Sequence, residues 1–245
     1  ELYNLIGIDF SKISNEKFFS VKLSDFESAS LWTPKYSFPF YVDTTNKIKD
    51  KFSIKTLGEI LNIKRGDEVG SENYNRYLEK ADNDIPFIRT SDLLNYELDS
   101  YPDYHIPLEI YGDLKQDLKE NDILFTKDGR VGMLAMLTKR DKAIIASGVC
   151  RLRLKDKIKN ITPEYLFLVL FLDEIGLNSA IRRTVVASTI PHLREERLKE
   201  IEIPILKDEE ILKITEKVKK AFQLKNEKKV ILENVRKRIN SHFEV

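Results

Sequence analysis

IRRTVVASTIPHLREERLKEIEIPIL, residues 181–206, sets a basic pair, a Ser-Thr-Ile-Pro turn, a charged helix and a short apolar strand in direct succession. A turn, a helix and a strand this close together call for a mixed α and β architecture in which short elements share one core. The next stretch of chain is different in kind. From Asp208 to Asn240 there is no glycine or proline, and apolar side chains fall at Ile211, Ile214, Val218, Ala221, Leu232, Val235 and Ile239. With Lys225 and Lys228 these positions advance in alternating steps of three and four, a heptad seam with a polar interruption. A helix of that span is about 50 Å long at about 1.5 Å per residue. Such a seam is too long to hide on its own domain, so the helix is expected to pair with another. A plain tethering coil has the same pattern, so the seam selects no function.

Working back from residue 181, PEYLFLVLFLDEIGLNSAI, starting at Pro163, opens with proline at a helix start and has apolar spacing too dense for strand alternation. AIIASGVCRLRL, residues 143–154, reads as a strand. Before it, Ile123–Thr126 and Val131–Leu137 flank Lys127-Asp128-Gly129-Arg130, a hairpin whose Asp-Gly step suits a tight primed turn. IPFIRTSDL, residues 85–93, alternates as a strand and stops at the Ser91-Asp92 cap. TLGEILNIKRGDEV is an amphipathic stretch ending in a Lys64-Arg65-Gly66 turn. Residues 1–52 are aromatic, with Trp32, Tyr36, Phe38, Phe40 and Tyr41 around Pro34 and Pro39. Two prolines so close forbid a continuous helix, so an extended arm is expected. Among these aromatics stands a single basic residue, Lys35, which disfavours a stacking platform for single strands. The division is an arm at 1–52, a β-rich domain at 53–206 and a helical segment at 207–245.

Composition narrows the classes. With 42% hydrophobic and 33% charged residues in 245, the chain can bury one good core, with an accessory helix. The single cysteine, Cys150, rules out a disulfide framework or cysteine metal cluster, and His105, His192 and His242 lie too far apart for a local site. The longest apolar run, Tyr165 to Leu172, is far too short to span a membrane, and the protein reads as soluble and cytoplasmic. A start at Glu1 fits a piece of a longer protein. The net charge is +1, yet residues 181–245 hold 16 Lys/Arg against 11 Asp/Glu, so the tail is basic and the remainder slightly acidic.

Catalytic signatures are missing. The chain has no Asn/Asp-Pro-Pro-aromatic tetrapeptide, no glycine-rich cofactor loop and no Walker pattern. Pro102-Asp103 with Glu109 lacks the acidic-x-Lys step of a nuclease, and Glu195-Glu196 and Glu209-Glu210 lie at helix starts, where they complement the dipole. The chain is read as a non-enzyme.

In order, the chain carries Leu57-Gly58-Glu59-Ile60 with Gly66, Pro86 to Leu93, the Asp122 to Gly132 hairpin, Pro163 to Leu166, Ser188-Thr189-Ile190-Pro191, Ile203-Pro204 and a terminal helix. Each box is weak alone. Together and in sequence, over residues 54–241, they resemble the target-recognition domain of specificity subunits from type I restriction-modification enzymes. A full subunit of that family has two such domains and two long helices, whereas each box occurs once here. The chain resembles one half, or the equivalent carboxy-terminal region of a fused N6-adenine methyltransferase of type II restriction-methylation enzymes. Residues 1–52 share only a Trp-x-Pro-x-Tyr step.

The resemblance implies an α+β fold, a β-rich recognition domain followed by a long coiled-coil-forming helix. It implies sequence-specific reading of half of a bipartite double-stranded DNA target, with phosphate contacts setting register and a few side chains reading bases. The candidate contacts are Lys64, Arg65, Arg76, Arg89, Thr90, Ser91, Lys127, Arg130, Arg182, Arg183, Ser188 and Thr189. The helix would pair with a second half or a second copy and dock methyltransferase and restriction subunits. No cofactor is expected in this chain; S-adenosylmethionine belongs on the partner methyltransferase. The competing reading is an interaction scaffold that binds protein through its coiled coil. Neither the target bases nor the oligomeric state is written in the sequence.

Overall fold

The computed structural model describes residues 7–9, 18–27, 29, 31–70, 73, 84–114, 116–187 and 189–243. Its centre is a four-stranded antiparallel sheet. β1 (Ser53–Thr56) lies outside it, while β2 (Leu61–Arg65) forms one edge. The order continues through β10 (Val149–Leu154) and β7 (Ile123–Thr126) to β8 (Leu134–Met136). Strand alternation decides what each face buries. Ile123, Phe125, Cys150 and Leu152 point into the main core, and Leu124, Ala135 and Val149 into a second core on the other face. Both faces are covered, so β7 is buried at every residue rather than at alternate ones.

A second, smaller sheet carries β3 (Ile85–Ile88) between an antiparallel β6 (His105–Ile106) and a parallel β9 (Ile144–Ile145). The stretch 143–154 is therefore two strands and not one. Its break at 146–148 is closed by Val149 N–H donating to the Ala146 carbonyl at 2.9 Å, and each half serves a different sheet. A two-residue pair, β4 (Leu93–Leu94) with β5 (Glu97–Leu98), completes this layer.

The domain closes on itself. β1 pairs antiparallel with β13 (Glu202–Ile205), so Ser53 faces Ile205 and Thr56 faces Glu202. Next comes the four-residue helix over Leu57–Ile60, whose start is a reciprocal cap: Thr56 donates to the Glu59 carboxylate from its backbone N–H at 2.6 Å and its hydroxyl at 2.9 Å. Those bonds hold the Glu59 carboxyl below its usual range.

The helices are α1 (Leu23–Glu27), α2 (Pro39–Lys51), α3 (the Leu57–Ile60 turn) and α4 (Leu108–Leu114). After them come α5 (Pro163–Phe171), α6 (Asn178–Arg183), α7 (Glu195–Lys199) and α8 (Asp208–Asn240). Four expectations need correction. Residues 39–51 form helix α2 instead of an extended arm, because Pro39 occupies the first helical position, where its missing N–H costs nothing. The run from Pro163 to Ile181 is not one helix. Leu172 is extended, and the chain turns so tightly that a Cβ on Gly176 would stand 2.0 Å from the Leu170 carbonyl oxygen. The 123–137 hairpin is wider than a tight primed turn: Phe125 pairs with Leu134, and positive φ is taken at both Gly129 and Gly132. The seam of α8 is divided between two environments. Ile211, Ile214 and Val218 are buried in the domain's own main core, whereas Leu232, Val235 and Ile239 are half exposed and Ala221 is exposed. Residue 207 is thus no boundary in packing. The Thr162 hydroxyl, which caps α5, meets the Thr215 hydroxyl of α8 at 2.6 Å.

Candidate nucleic-acid interface

Segments far apart in sequence meet at one end of the four-stranded sheet, where β2 and β7 finish and β10 begins. Beyond Arg65 the chain must pass close under β9. Gly66 N–H donates to Val149 at 2.9 Å and Asp67 N–H to Ile145 at 3.0 Å, and a Cβ on Gly66 would lie 2.1 Å from the Ile145 carbonyl oxygen. Only glycine permits that approach. Lys127 N–H donates to Gly148 at 2.9 Å, and Gly148 in turn faces Thr90 and the Asp128 carboxylate.

The chain around Thr189-Ile190-Pro191 enters the same place as a two-stranded ribbon, β11 (Val185–Ala187) against β12 (Ile190–His192). Its root is tied to the hairpin loop by Gly129 N–H to Pro191 at 2.9 Å and by Leu193 N–H to Lys127 at 2.8 Å. Side chains repeat the connection: Asp128 accepts from Lys127 Nζ at 2.8 Å and its other oxygen contacts Nδ1 of His192. His192 finds a carboxylate 64 residues away that no local pattern announces. Arg194, just past the ribbon, is exposed and was not among the sequence candidates. Its place beside the Pro191-His192 step is the signal that marks it.

The sequence candidates fall into distinct groups. Lys64, Arg65 and Arg130 are exposed, as are Ser91 and Thr189, and Thr90 is half-buried. Lys127 is 5% exposed and Arg183 6%, so the free protein does not present either as a surface cation. Lys127 is held by Asp128, and Arg183 reaches the Ser179 carbonyl and Glu200. Arg89 lies over the Tyr104 ring, 3.9 Å from its centroid, and bonds Asp103 at 3.0 Å. Its own N–H donates to Asp92, which also accepts from the Ser91 hydroxyl. Arg182 sits on the Tyr36 ring, and burial lowers its pKa. Arg76 and Ser188 lie outside the described residues.

Behind the surface is a scaffold of ion pairs. Arg153 reaches Asp122 at 2.6 and 2.7 Å and Asp117 at 3.0 Å, and Arg151 bonds Asp117 at 2.7 Å. The Arg153 hydrogen bond, foremost, holds the Asp117 carboxyl below its usual range. Among the described residues no group of three or more His, Cys, Asp or Glu could hold a metal ion, and no helix is long and apolar enough to cross a membrane.

The far half of α8 presents Leu224, Ile231, Leu232, Val235 and Ile239, all about half exposed. The flank beside this stripe runs along the domain. Lys229 pairs with Glu97 at 3.4 Å, and Arg236 lies 4.5 Å from the Tyr101 ring centroid.

The sequence model described as type I restriction modification DNA specificity domain matches residues 49–234. No curated protein matches the chain. Among solved structures, the type I restriction-modification S subunit from M. genitalium is 18% identical with a TM-score of 0.43, over 62% of this chain and 34% of that one. The HsdS subunit from Thermoanaerobacter tengcongensis is 16% identical with a TM-score of 0.44, over 75% and 44%. The type IIG restriction endonuclease BpuSI is 10% identical with a TM-score of 0.50, over 77% and 28%. This chain spans less than half the length of each.

Proposed function

This chain belongs to the type I restriction modification DNA specificity domain family, and from that premise we propose that it reads one half of a bipartite duplex target on behalf of methyltransferase and restriction subunits. DNA target recognition is the family's work. The observation that carries the finer reading is the convergence of the 65–67, 90–91, 127–132 and 189–194 segments at one sheet end, with Arg65, Arg130 and Arg194 exposed around a fixed backbone. Rigid strands position the loops, and the loops carry the contacts. Lys64, Arg65 and Arg130 meet phosphates; Thr90, Ser91 and Thr189 lie where base edges and backbone are within reach of hydroxyls. Lys127 and Asp128 hold the surface in shape.

The chain recognises and does not catalyse. S-adenosylmethionine and the methyl transfer belong to the partner. The half-exposed apolar stripe from Leu224 to Ile239 receives a helix of a second recognition half or a second copy. A fused arrangement is the second reading, favoured by the fold shared with the type IIG endonuclease BpuSI; a methyltransferase domain in the same polypeptide would establish it.

The test is selection from a randomised duplex library at two salt concentrations, with the chain alone and with the methyltransferase subunit of its system. The expected result is one short enriched motif whose affinity falls steeply with salt, the slope shrinking by about one for each phosphate contact removed in Arg65→Ala or Arg130→Ala. Failure to enrich any motif with the partner assembled would refute the reading.

A further inference from the structure

The β11–β12 ribbon leaves two β-branched apolar side chains in water, Val186 at 55% and Ile190 at 60% exposure. Elsewhere in the domain such residues are buried by the dozen, and this ribbon could turn its apolar side chains inward if its role were only packing. Instead its root is fixed by three independent ties: the Gly129–Pro191 and Lys127–Leu193 backbone bonds, and the His192–Asp128 contact. Fixing the root costs ordering entropy once, at folding, and leaves the described part of β12 preorganised for an occupant.

The dimensions fit one kind of occupant. Paired strands lie about 4.8 Å apart, and a two-stranded ribbon is admitted by a major groove about 12 Å wide. The charge is also right: Arg194 adjoins the root in sequence, Arg130 lies in the loop bonded to Pro191, and both are exposed. Lys127 beside them is neutralised by Asp128. Val186 pairs with Pro191 and Ile190 with Ala187, so the two apolar side chains project from opposite faces of the ribbon, and with exposed cations beside its root this suits tip-first entry into a groove lined with thymine methyl groups and edged by phosphates.

We propose that the β11–β12 ribbon is the groove-entering reader of this domain, with Val186 and Ile190 as specificity-determining residues that touch C5-methyl groups of thymine while Arg130 and Arg194 bind flanking phosphates. The proposal rests on the DNA-reading function above. Both apolar residues are exposed, so their replacement by alanine leaves the fold intact.

The experiment uses the full chain with its methyltransferase subunit and the duplex enriched from the randomised library. Thymines of that duplex are replaced one at a time by deoxyuracil, which removes only the methyl group. The expected result is that at one or two positions the wild type loses about three- to tenfold in affinity, as expected for a buried methyl. At those same positions Val186→Ala or Ile190→Ala binds the thymine and uracil duplexes alike. Wild type and variants losing equally at every position would overturn the ribbon as reader while the enriched motif upholds DNA recognition. An unchanged motif with less methyltransferase co-eluting with the Val186→Ala, Ile190→Ala double variant would mean that the ribbon holds a protein, and would also overturn it. No enriched motif for the wild type would overturn both readings together.

Discussion

Arg182 lies across the ring of Tyr36, 4.4 Å from its centroid, and its Nε donates to the Tyr36 carbonyl at 2.6 Å. Residues separated by 146 positions are thus joined, and the segment before the recognition domain is fastened to helix α6. The contact gives Arg182 an internal partner in the free protein. Arg182→Ala is expected to lower the free energy of unfolding by about 1–3 kcal/mol, from one charge-assisted hydrogen bond and one cation–π contact. Denaturant titration measures that loss, while anisotropy with a duplex should give an unchanged salt slope. A slope reduced by one would return Arg182 to the DNA surface.

Gln116 acts as a detached peptide unit. Its side chain donates to the Ile145 carbonyl and accepts from the Ile145 N–H, both at 2.8 Å, and also reaches Asp67 at 2.5 Å. Gln116→Leu, similar in size, should cost about 1–3 kcal/mol because the buried Ile145 N–H loses its partner, while the Ile145 carbonyl keeps the Asp67 N–H. Equilibrium unfolding that shifts by less than 0.5 kcal/mol, roughly the range of surface substitutions, would contradict this role.

The Asp117 carboxyl is held below its ordinary value of 3.8, first by the Arg153 hydrogen bond. Its folded pKa is depressed, so its contribution is present above the unfolded pKa and is lost as pH falls through the folded one. Asp117 is more than half exposed, which makes the effect modest. Asp117→Asn should be less stable than wild type at neutral pH, and the two stability curves should converge below about pH 3. Parallel curves down to acid pH would exclude the linkage.

Burial pushes the Cys150 thiol up to about 12. At pH 8 the native protein should therefore react with a thiol reagent only as fast as it unfolds, and at once in denaturant. Rapid labelling of the folded chain would show that β10 opens locally.

Helix α8 supplies a contrast within one seam. Ile214→Ala should cost about 2–4 kcal/mol, because that side chain fills the main core. Leu232→Glu with Val235→Glu should leave the melting temperature of the chain unchanged and abolish co-elution with a partner helix. Loss of melting temperature in the double variant would place those residues against the chain's own domain.

Much of this fold was legible because its signals are local. Pro163 opening α5 and the uninterrupted run from Asp208 to Asn240 each rest on neighbouring residues, so residue identity suffices to state them. Their order along the chain carried the family. The sequence misjudged the places where a neighbour distant in sequence sets the conformation. Residues 146–148 divide one apolar run between two sheets, whereas Pro39 starting a helix is a local signal that reads equally as a break. The site follows the same division. Basic residues near turns were visible, but a guanidinium or ammonium on a turn is equally suited to a phosphate, an aromatic ring or a carboxylate. Tertiary packing alone decided that Tyr36 takes Arg182, that Asp128 takes His192, and that Arg65 and Arg130 remain at the surface, because these placements depend on neighbours that only the folded chain brings close.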